Sequence, residues 1–259
     1  MGRFDMKELK LVDIKYENND DSPIYLKESF ETFDESILEL GDITSISKPI
    51  NALVAIFDLE SFTIFCNQID PQLQVPEFLS IFLKWIFNEL RESVIKEKYE
   101  YGYKTYSKLP FFCKFMGDGI LFIWDTENMG AEEVCNVIVS LNFICYQYAN
   151  EFVNNISEYI ISPPVKLRCG VARGIVYSVG NGNDYIGACI NMASRLQKMS
   201  LLSFCFSKRG VNFKGVNDFI QEMFLIKKVE IRGIGASELV GVLKEEYDNL
   251  PDEEKKMFK

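Results

Sequence analysis

The sequence predicts an α+β fold in which a mostly antiparallel sheet is covered by helices on one side. Three observations predict it. Two apolar runs, Phe111–Met116 and Ile120–Trp124, flank Gly117-Asp118-Gly119, the pattern of a β-hairpin closed by a tight turn. Helical periodicity comes in long blocks before and after that hairpin, not after every strand. No internal repeat or low-complexity linker divides the 259 residues, so they form one large domain or a domain with an extension.

Residues 1–48 are acid-rich, with a polar cluster at 17–23 and loosely helical apolar spacing over 24–40. They are expected to form a short strand or arm followed by a helix, as a small N-terminal extension. Ala52–Phe57 is a continuous apolar run of the kind that makes a central strand with both faces covered, and it ends on the acid Asp58. Ser61-Phe62-Thr63 then opens a helix. Pro76 starts a longer one, with Phe78, Phe82, Trp85, Ile86 and Leu90 on one face, read as core rather than a ligand box. Residues 99–109 read as a tyrosine-rich loop leading to the hairpin.

Beyond the hairpin, 131–152 is amphipathic and helical. Strands are expected at 165–170 and 174–178, joined at Val171-Ala172-Arg173, before a loop at 180–187 and a helix at 191–199. Strands near 203–207, 225–231 and 238–243 follow, and the charged tail from Glu245 is expected to fray. The organisation is therefore an arm over 1–48, a main domain over 49–245 and a tail over 246–259.

Composition excludes several classes. The chain has no histidine, which removes histidine triads and histidine–zinc sites. Seven scattered cysteines without a CxxC pair read as buried free thiols in a reducing compartment. A net charge of −10 argues against nucleic acid or an anionic membrane as partner, and no apolar run is long enough to span a bilayer. No signal peptide is visible, so a soluble, cytoplasmic protein is expected. There is no GxxxxGK[ST] and no strand-borne GxGxxG. Two strand-end carboxylates, Asp58 and Asp118, remain as the means to grip divalent metal and, through it, phosphate.

FDLESFT, KFMGDG, DYIGACINMASR and IRGIG occur in this order and together resemble the catalytic domain of class III nucleotidyl cyclases. The resemblance runs from about residue 50 to 243 and implies a ferredoxin-like cyclase domain. It implies two divalent ions, Mn2+ or Mg2+, held by Asp58, Asp118 and the carbonyl of Leu59. Backbone amides at Ser61, Phe62 and Thr63 would surround the β- and γ-phosphates, with Ser61 standing where the family usually has glycine. Arg232 would hold the triphosphate, Asn191 orient the ribose and Arg195 stabilise charge on the α-phosphate. Asn191 and Arg195 are four apart and share a helix face. In the family the metal pair and the Asn/Arg set come from different subunits. This chain carries both, which implies a homodimer with two composite sites.

Lys114 and Asp184 match the base-reading positions, and Phe57 or an aromatic from 99–106 could narrow the base pocket. A lysine donor and a carboxylate acceptor suit adenine, cytosine and uracil alike, so hydrogen bonding leaves three bases open. The run Phe65–Ser80, with KFMGDGILFIWD, resembles the stand-alone pyrimidine cyclases of bacterial antiphage (Pycsar) systems. That narrower resemblance implies UTP first, then ATP or CTP. It also implies cyclic UMP as an infection signal for a separate effector that need not bind directly. The alternatives are an adenylate or cytidylate cyclase with the same residues, or a catalytically dead, cyclase-like nucleotide-binding module.

Overall fold

The computed structural model describes residues 16–19, 22–25, 27, 34–212 and 218–259. They fall into two units. One comprises the chain up to Lys48 with Ser178–Tyr185, and the other comprises Pro49–Tyr177 with Ile186–Lys259.

In the smaller unit, β1 (Tyr16–Asn19) pairs antiparallel with β2 (Ser22–Tyr25). Of the strand and helix expected in this region, the strand is formed, Lys27 is helical, and the rest of the expected helix falls on 26 and 28–33, which lie outside the described residues. Glu35–Leu38 is a single 3-10 turn capped by the Asp34 carboxylate. The segment after the turn is tied to 178–185 through Asn181 N to Leu40 O (3.2 Å) and Asn183 Nδ2 to Glu39 O (3.0 Å).

The larger unit is built on a sheet with strand order β11-β12-β10-β8-β3-β7-β6. Its strands are β3 (Pro49–Leu59), β6 (Phe112–Phe115), β7 (Gly119–Asp125), β8 (Leu167–Val179), β10 (Phe204–Ser207), β11 (Phe224–Ile231) and β12 (Gly235–Leu243). All neighbours on this path are antiparallel except β8 and β10. A short β9 (Asp184–Ile186) also pairs with β8. The mostly antiparallel α+β fold is as the sequence predicts. β3 is central and, from Ala52 to Leu59, fully buried, which is why its run is apolar without alternation.

Alternation still decides which face each residue serves. Leu53, Ala55, Phe57 and Leu59 join the main core with Phe122, Trp124, Cys169 and Val171. That core is closed by α2 (Pro71–Ser93) and α3 (Ala131–Gln147). Phe78, Phe82, Ile86 and Leu90 of α2 are buried in it and Trp85 packs at its edge, so the aromatic stripe is core. α3 runs through a π turn (Tyr148–Phe152) into the short α4 (Val153–Ile156), placing Tyr148 in the core with its hydroxyl donating to Pro164 O at 2.6 Å.

Several local expectations are corrected. β8 is one continuous strand of 13 residues, because Gly174 pairs with Ala52 in the β3 ladder and marks no break. The long helix begins at Pro71, with the Asp70 carbonyl accepting from Leu73 N and Gln74 N and no side-chain cap, and Pro76 lies inside it. Residues 99–109 are not simply a loop. β4 (Ile95–Tyr99) and β5 (Gly102–Thr105) form a hairpin whose Tyr99, Tyr101 and Tyr103 are exposed, as is Tyr106 after it. The tail folds back as α7 (Lys244–Asp248) and α8 (Asp252–Lys255), burying Leu250 and Phe258, and Lys259 exchanges backbone hydrogen bonds with Lys228 of β11. Two apolar residues among the charges are enough to anchor it. No helix among the described residues is long and apolar enough to cross a membrane.

Helices also lie on both faces. A β-carbon on Gly170 would come 2.1 Å from Ala193 O, so α5 (Ala188–Leu196) rests directly on the backbone of β8. Gly170 alternates with Cys169 and Val171 of the main core, which puts α5 on the opposite face.

Candidate active site

β3 ends at Asp58, which lies opposite Gly119 of β7, and Leu59 N donates to Asp118 O at 3.0 Å. The two carboxylate residues are therefore neighbours at one end of the sheet. The hairpin loop is closed by Met116 N to Gly119 O at 2.8 Å. Its glycines do different work. Gly117 has φ +95°, which a side chain rarely adopts, and a β-carbon on Gly119 would sit 2.2 Å from Phe57 O. The close approach of β7 to β3 is what brings Asp118 beside Asp58.

Asp58 is buried, and Arg168 of β8, its register partner, donates to Asp58 Oδ2 at 2.6 Å while a second nitrogen reaches Glu60 at 3.4 Å. Sequence reasoning missed Arg168. Its signal is a cation inside the otherwise apolar run Leu167–Ala172. Arg168 occupies one Asp58 oxygen, and Oδ1 has no protein partner among the described residues. Asp118 is half-buried, and its charge, after burial, is the second cause that pushes the nearby Cys66 thiol up.

No group of three or more metal-ligating side chains occurs among the described residues. Two carboxylates and a backbone carbonyl are hard oxygen donors. They suit a cation that completes its shell with water and phosphate oxygens, the usual way Mg2+ is held. The donor set fits a partly hydrated divalent ion better than a permanently caged one.

Ser61 has φ +64°, ψ +20°, in the left-handed region. The glycine-like shape is thus kept by a serine. After it comes the single-turn helix α1 (Phe62–Phe65), where Ile64 N and Phe65 N donate to Ser61 O. The amides of Phe62 and Thr63 have no acceptor among the described residues.

Phe57 on β3 aside, the remaining predicted residues lie on other elements or turns. Phe57 is removed from the base-contacting set, because its ring is fully buried in the core, edge-on to Phe122 at 6.1 Å. Lys114 is an exposed residue of edge strand β6, opposite Leu121, which puts it on the same sheet face as Ile56 and Asp58. Asp184 begins β9 in the other unit, with Oδ1 accepting from Tyr185 N. Asn191 and Arg195 are exposed on α5, whose other side buries Cys189, Met192, Ala193 and Leu196 against the sheet. The pair therefore faces away from the strands that carry Asp58.

Arg232 is exposed in the turn between β11 and β12. Val240 pairs with Ser207, Phe206 with Val171, and Val171 with Ala55. Followed outward, this register carries β12 toward the Arg232 turn as β3 runs back toward Pro49. Arg232 and Asp58 thus lie at opposite ends of the sheet, about 30 Å apart along the strands.

No sequence-family model matches the chain, and no curated protein matches its sequence. Among solved structures, the adenylyl cyclase CyaB from P. aeruginosa aligns with a TM-score of 0.56 at 14% identity, over 77% of this chain and 96% of its own. The guanylyl cyclase Cya2 aligns at 0.48 and 14% identity, over 76% and 92%. The guanylate cyclase domain of RhGC from Catenaria anguillulae aligns at 0.47 and 16%, over 75% and 97%. The fold assignment rests on the first of these: this chain has the α+β fold of the class III cyclase domains.

Proposed function

We propose that this chain is a nucleotidyl cyclase that converts UTP to 3′,5′-cyclic UMP and pyrophosphate, as a homodimer with two composite sites. The observation that carries this reading is the adjacency of Asp58 and Asp118 at one sheet end, in a fold shared with an adenylyl cyclase. Divalent ions, Mn2+ or Mg2+, would lower the pKa of the ribose 3′-hydroxyl and neutralise phosphate charge. Asp58, Asp118 and the Leu59 carbonyl would hold them, with Arg168 fixing how the Asp58 carboxylate is turned. The amides of Phe62 and Thr63 would donate to the β- and γ-phosphates.

Asn191 and Arg195 face away from Asp58, and Arg232 lies at the far end of the sheet, which supports a site shared between two copies. A second copy would bring its own Asn191 to the ribose and its own Arg195 to the α-phosphate. A permanently charged, forked guanidinium suits that role. Arg232 of the same copy would meet the triphosphate.

Lys114 and Asp184 would read the base, the lysine donating to O4 or O2 of uracil and the carboxylate accepting N3–H. The resemblance of Phe65–Ser80 to pyrimidine cyclases favours UTP, with the product acting as an infection signal for a separate effector. A second reading, ATP to cyclic AMP, is favoured by the fold match to an adenylyl cyclase.

Purified protein incubated with each of the four NTPs and Mn2+ tests both. Cyclic UMP with equimolar pyrophosphate is the expected product. Dominant cyclic AMP selects the second reading, and nucleotide binding without pyrophosphate release makes the chain a binding module.

A further inference from the structure

Two cavities of about 640 and 420 Å3 open between α3 and the end of the chain. Both are bounded by Asn142, Tyr146, Leu243, Glu245 and Asn249, so they are two lobes of one cleft. Their size is that of small-molecule sites. The cleft shares no residue with the nucleotide site proposed above.

Asn142 is the anomaly. The inner face of α3 is otherwise apolar, with Val134, Ile138, Leu141 and Cys145 buried. Asn142 is buried among them at 7% exposure and borders both lobes, yet its amide has no hydrogen-bond partner among the described residues. Its amide atoms are not among the buried, solvent-shielded ones, so they open onto the cleft and offer two donors and an acceptor there that no protein group takes up among the described residues.

The surroundings narrow what that partner is. Phe143 and Tyr146 line the larger lobe, their rings nearly parallel at 18° with centroids 6.1 Å apart, and both are exposed. Leu243 and Met223 supply apolar wall, while Glu245 and Asp248 put acids on the rim beside Lys244. A flat ring can lie against Tyr146. Around the whole cleft three acids, Glu245, Glu246 and Asp248, outnumber Lys166 and Lys244, which disfavours a phosphate.

We propose that this cleft is a second ligand site, for an uncharged planar ring with adjacent hydrogen-bond donor and acceptor, such as a nucleobase edge or an aromatic carboxamide. The Asn142 amide meets that edge as asparagine meets adenine in nucleic-acid recognition. The site also has a route to the rest of the fold. Glu246, which lines the smaller lobe, accepts from Ser203 N with both oxygens (3.2 and 3.0 Å) and from the Ser203 hydroxyl. Ser203 belongs to the loop that follows α5, so a ligand here touches the segment that ties that loop down.

The test is calorimetric titration of the full chain with free adenine, cytosine, uracil and nicotinamide. At least one should bind with Kd of about 1 mM or tighter, within the range small fragments reach. Asn142→Leu should weaken it tenfold or more, Tyr146→Ala severalfold, and Lys114→Ala not at all. Asn142→Leu replaces an unpartnered amide with an apolar side chain and is expected to fold; if it does not, Tyr146→Ala on the exposed wall carries the test. No binding by any of the four probes, undiminished binding in the Asn142 and Tyr146 variants, or loss in Lys114→Ala would each overturn the proposal. Cyclic nucleotide production is scored separately, so failure here leaves the cyclase reading standing, and the reverse.

Discussion

Arg168 Nη2 lies 2.6 Å from Asp58 Oδ2 across neighbouring strands, with the two side chains only 17% and 7% exposed. A buried carboxylate stripped of its cation is left with an uncompensated charge. Arg168→Met should therefore lower stability by about 3 kcal/mol. Arg168→Lys should cost less, since it keeps the charge but not the fork. Urea unfolding measures both, and Asp58→Asn with Arg168→Met should recover part of the loss because the pair is removed together. An Arg168→Met variant as stable as the parent would show that the pair does not support β3.

Ser61 holds a left-handed backbone at φ +64°. That conformation costs a residue with a β-carbon about 1–2 kcal/mol, and glycine gives back part of the gain in unfolded-chain entropy. Ser61→Gly should raise stability by about 0.5–1 kcal/mol with the loop shape kept, and Ser61→Val should lower it by more than that. Thermal melts of the three proteins decide it, and a destabilised glycine variant would contradict the strain.

The two hairpin glycines should differ in kind. Gly117→Ala meets open space and carries only backbone strain of about 1 kcal/mol. Gly119→Ala drives a β-carbon into Phe57 O, so β7 must move off β3 at Asp58, at a cost of about 3 kcal/mol. Denaturation midpoints should rank parent, Gly117→Ala, Gly119→Ala, and if the proposed site is active, cyclisation should be lost in the last.

If the proposed site is shared between copies, Asp58→Ala and Asn191→Ala should each be inactive alone. Mixed and re-equilibrated, half the dimers carry one intact site of two, which restores about a quarter of parental activity. No recovery in verified heterodimers would remove the shared-site reading.

The cysteines predict a pH effect. Cys113 is exposed and Cys66 half-buried, whereas Cys135, Cys145, Cys169, Cys189 and Cys205 are buried. A thiol reagent at pH 8 should modify Cys113 quickly, Cys66 slowly, and the others only after unfolding. Burial pushes the Cys135 thiol from an ordinary 9.0 up to about 11. The folded state thus favours the neutral thiol. Its contribution is fully present below pH 9.0 and is lost as pH rises through about 11. Cys169 and Cys205 act in the same direction, so unfolding free energy should fall between pH 8 and 10.5, and Cys135→Ala should flatten that slope.

What was legible and what was not divides by the range of the interaction. The Gly117–Gly119 hairpin, the apolar run of β3 and the shared face of Asn191 and Arg195 all follow from spacings of a few residues. Such spacings are set by strand and helix geometry alone. The misses came where local signals competed. Gly174 resembled a strand break and Pro76 a helix start, and in each case the neighbouring ladder or an earlier proline prevailed.

By itself the sequence determined the strands and helices that carry Asp58, Asp118, Asn191 and Arg195, and the α+β class that contains them. Only the tertiary structure decided that Arg168, 110 residues from Asp58, holds its carboxylate, that Phe57 belongs to the core, and that Arg232 lies at the far end of the sheet. Those facts depend on which strands pair and in what register. Register is settled by burying whole faces against one another, and no single stretch of chain contains that information.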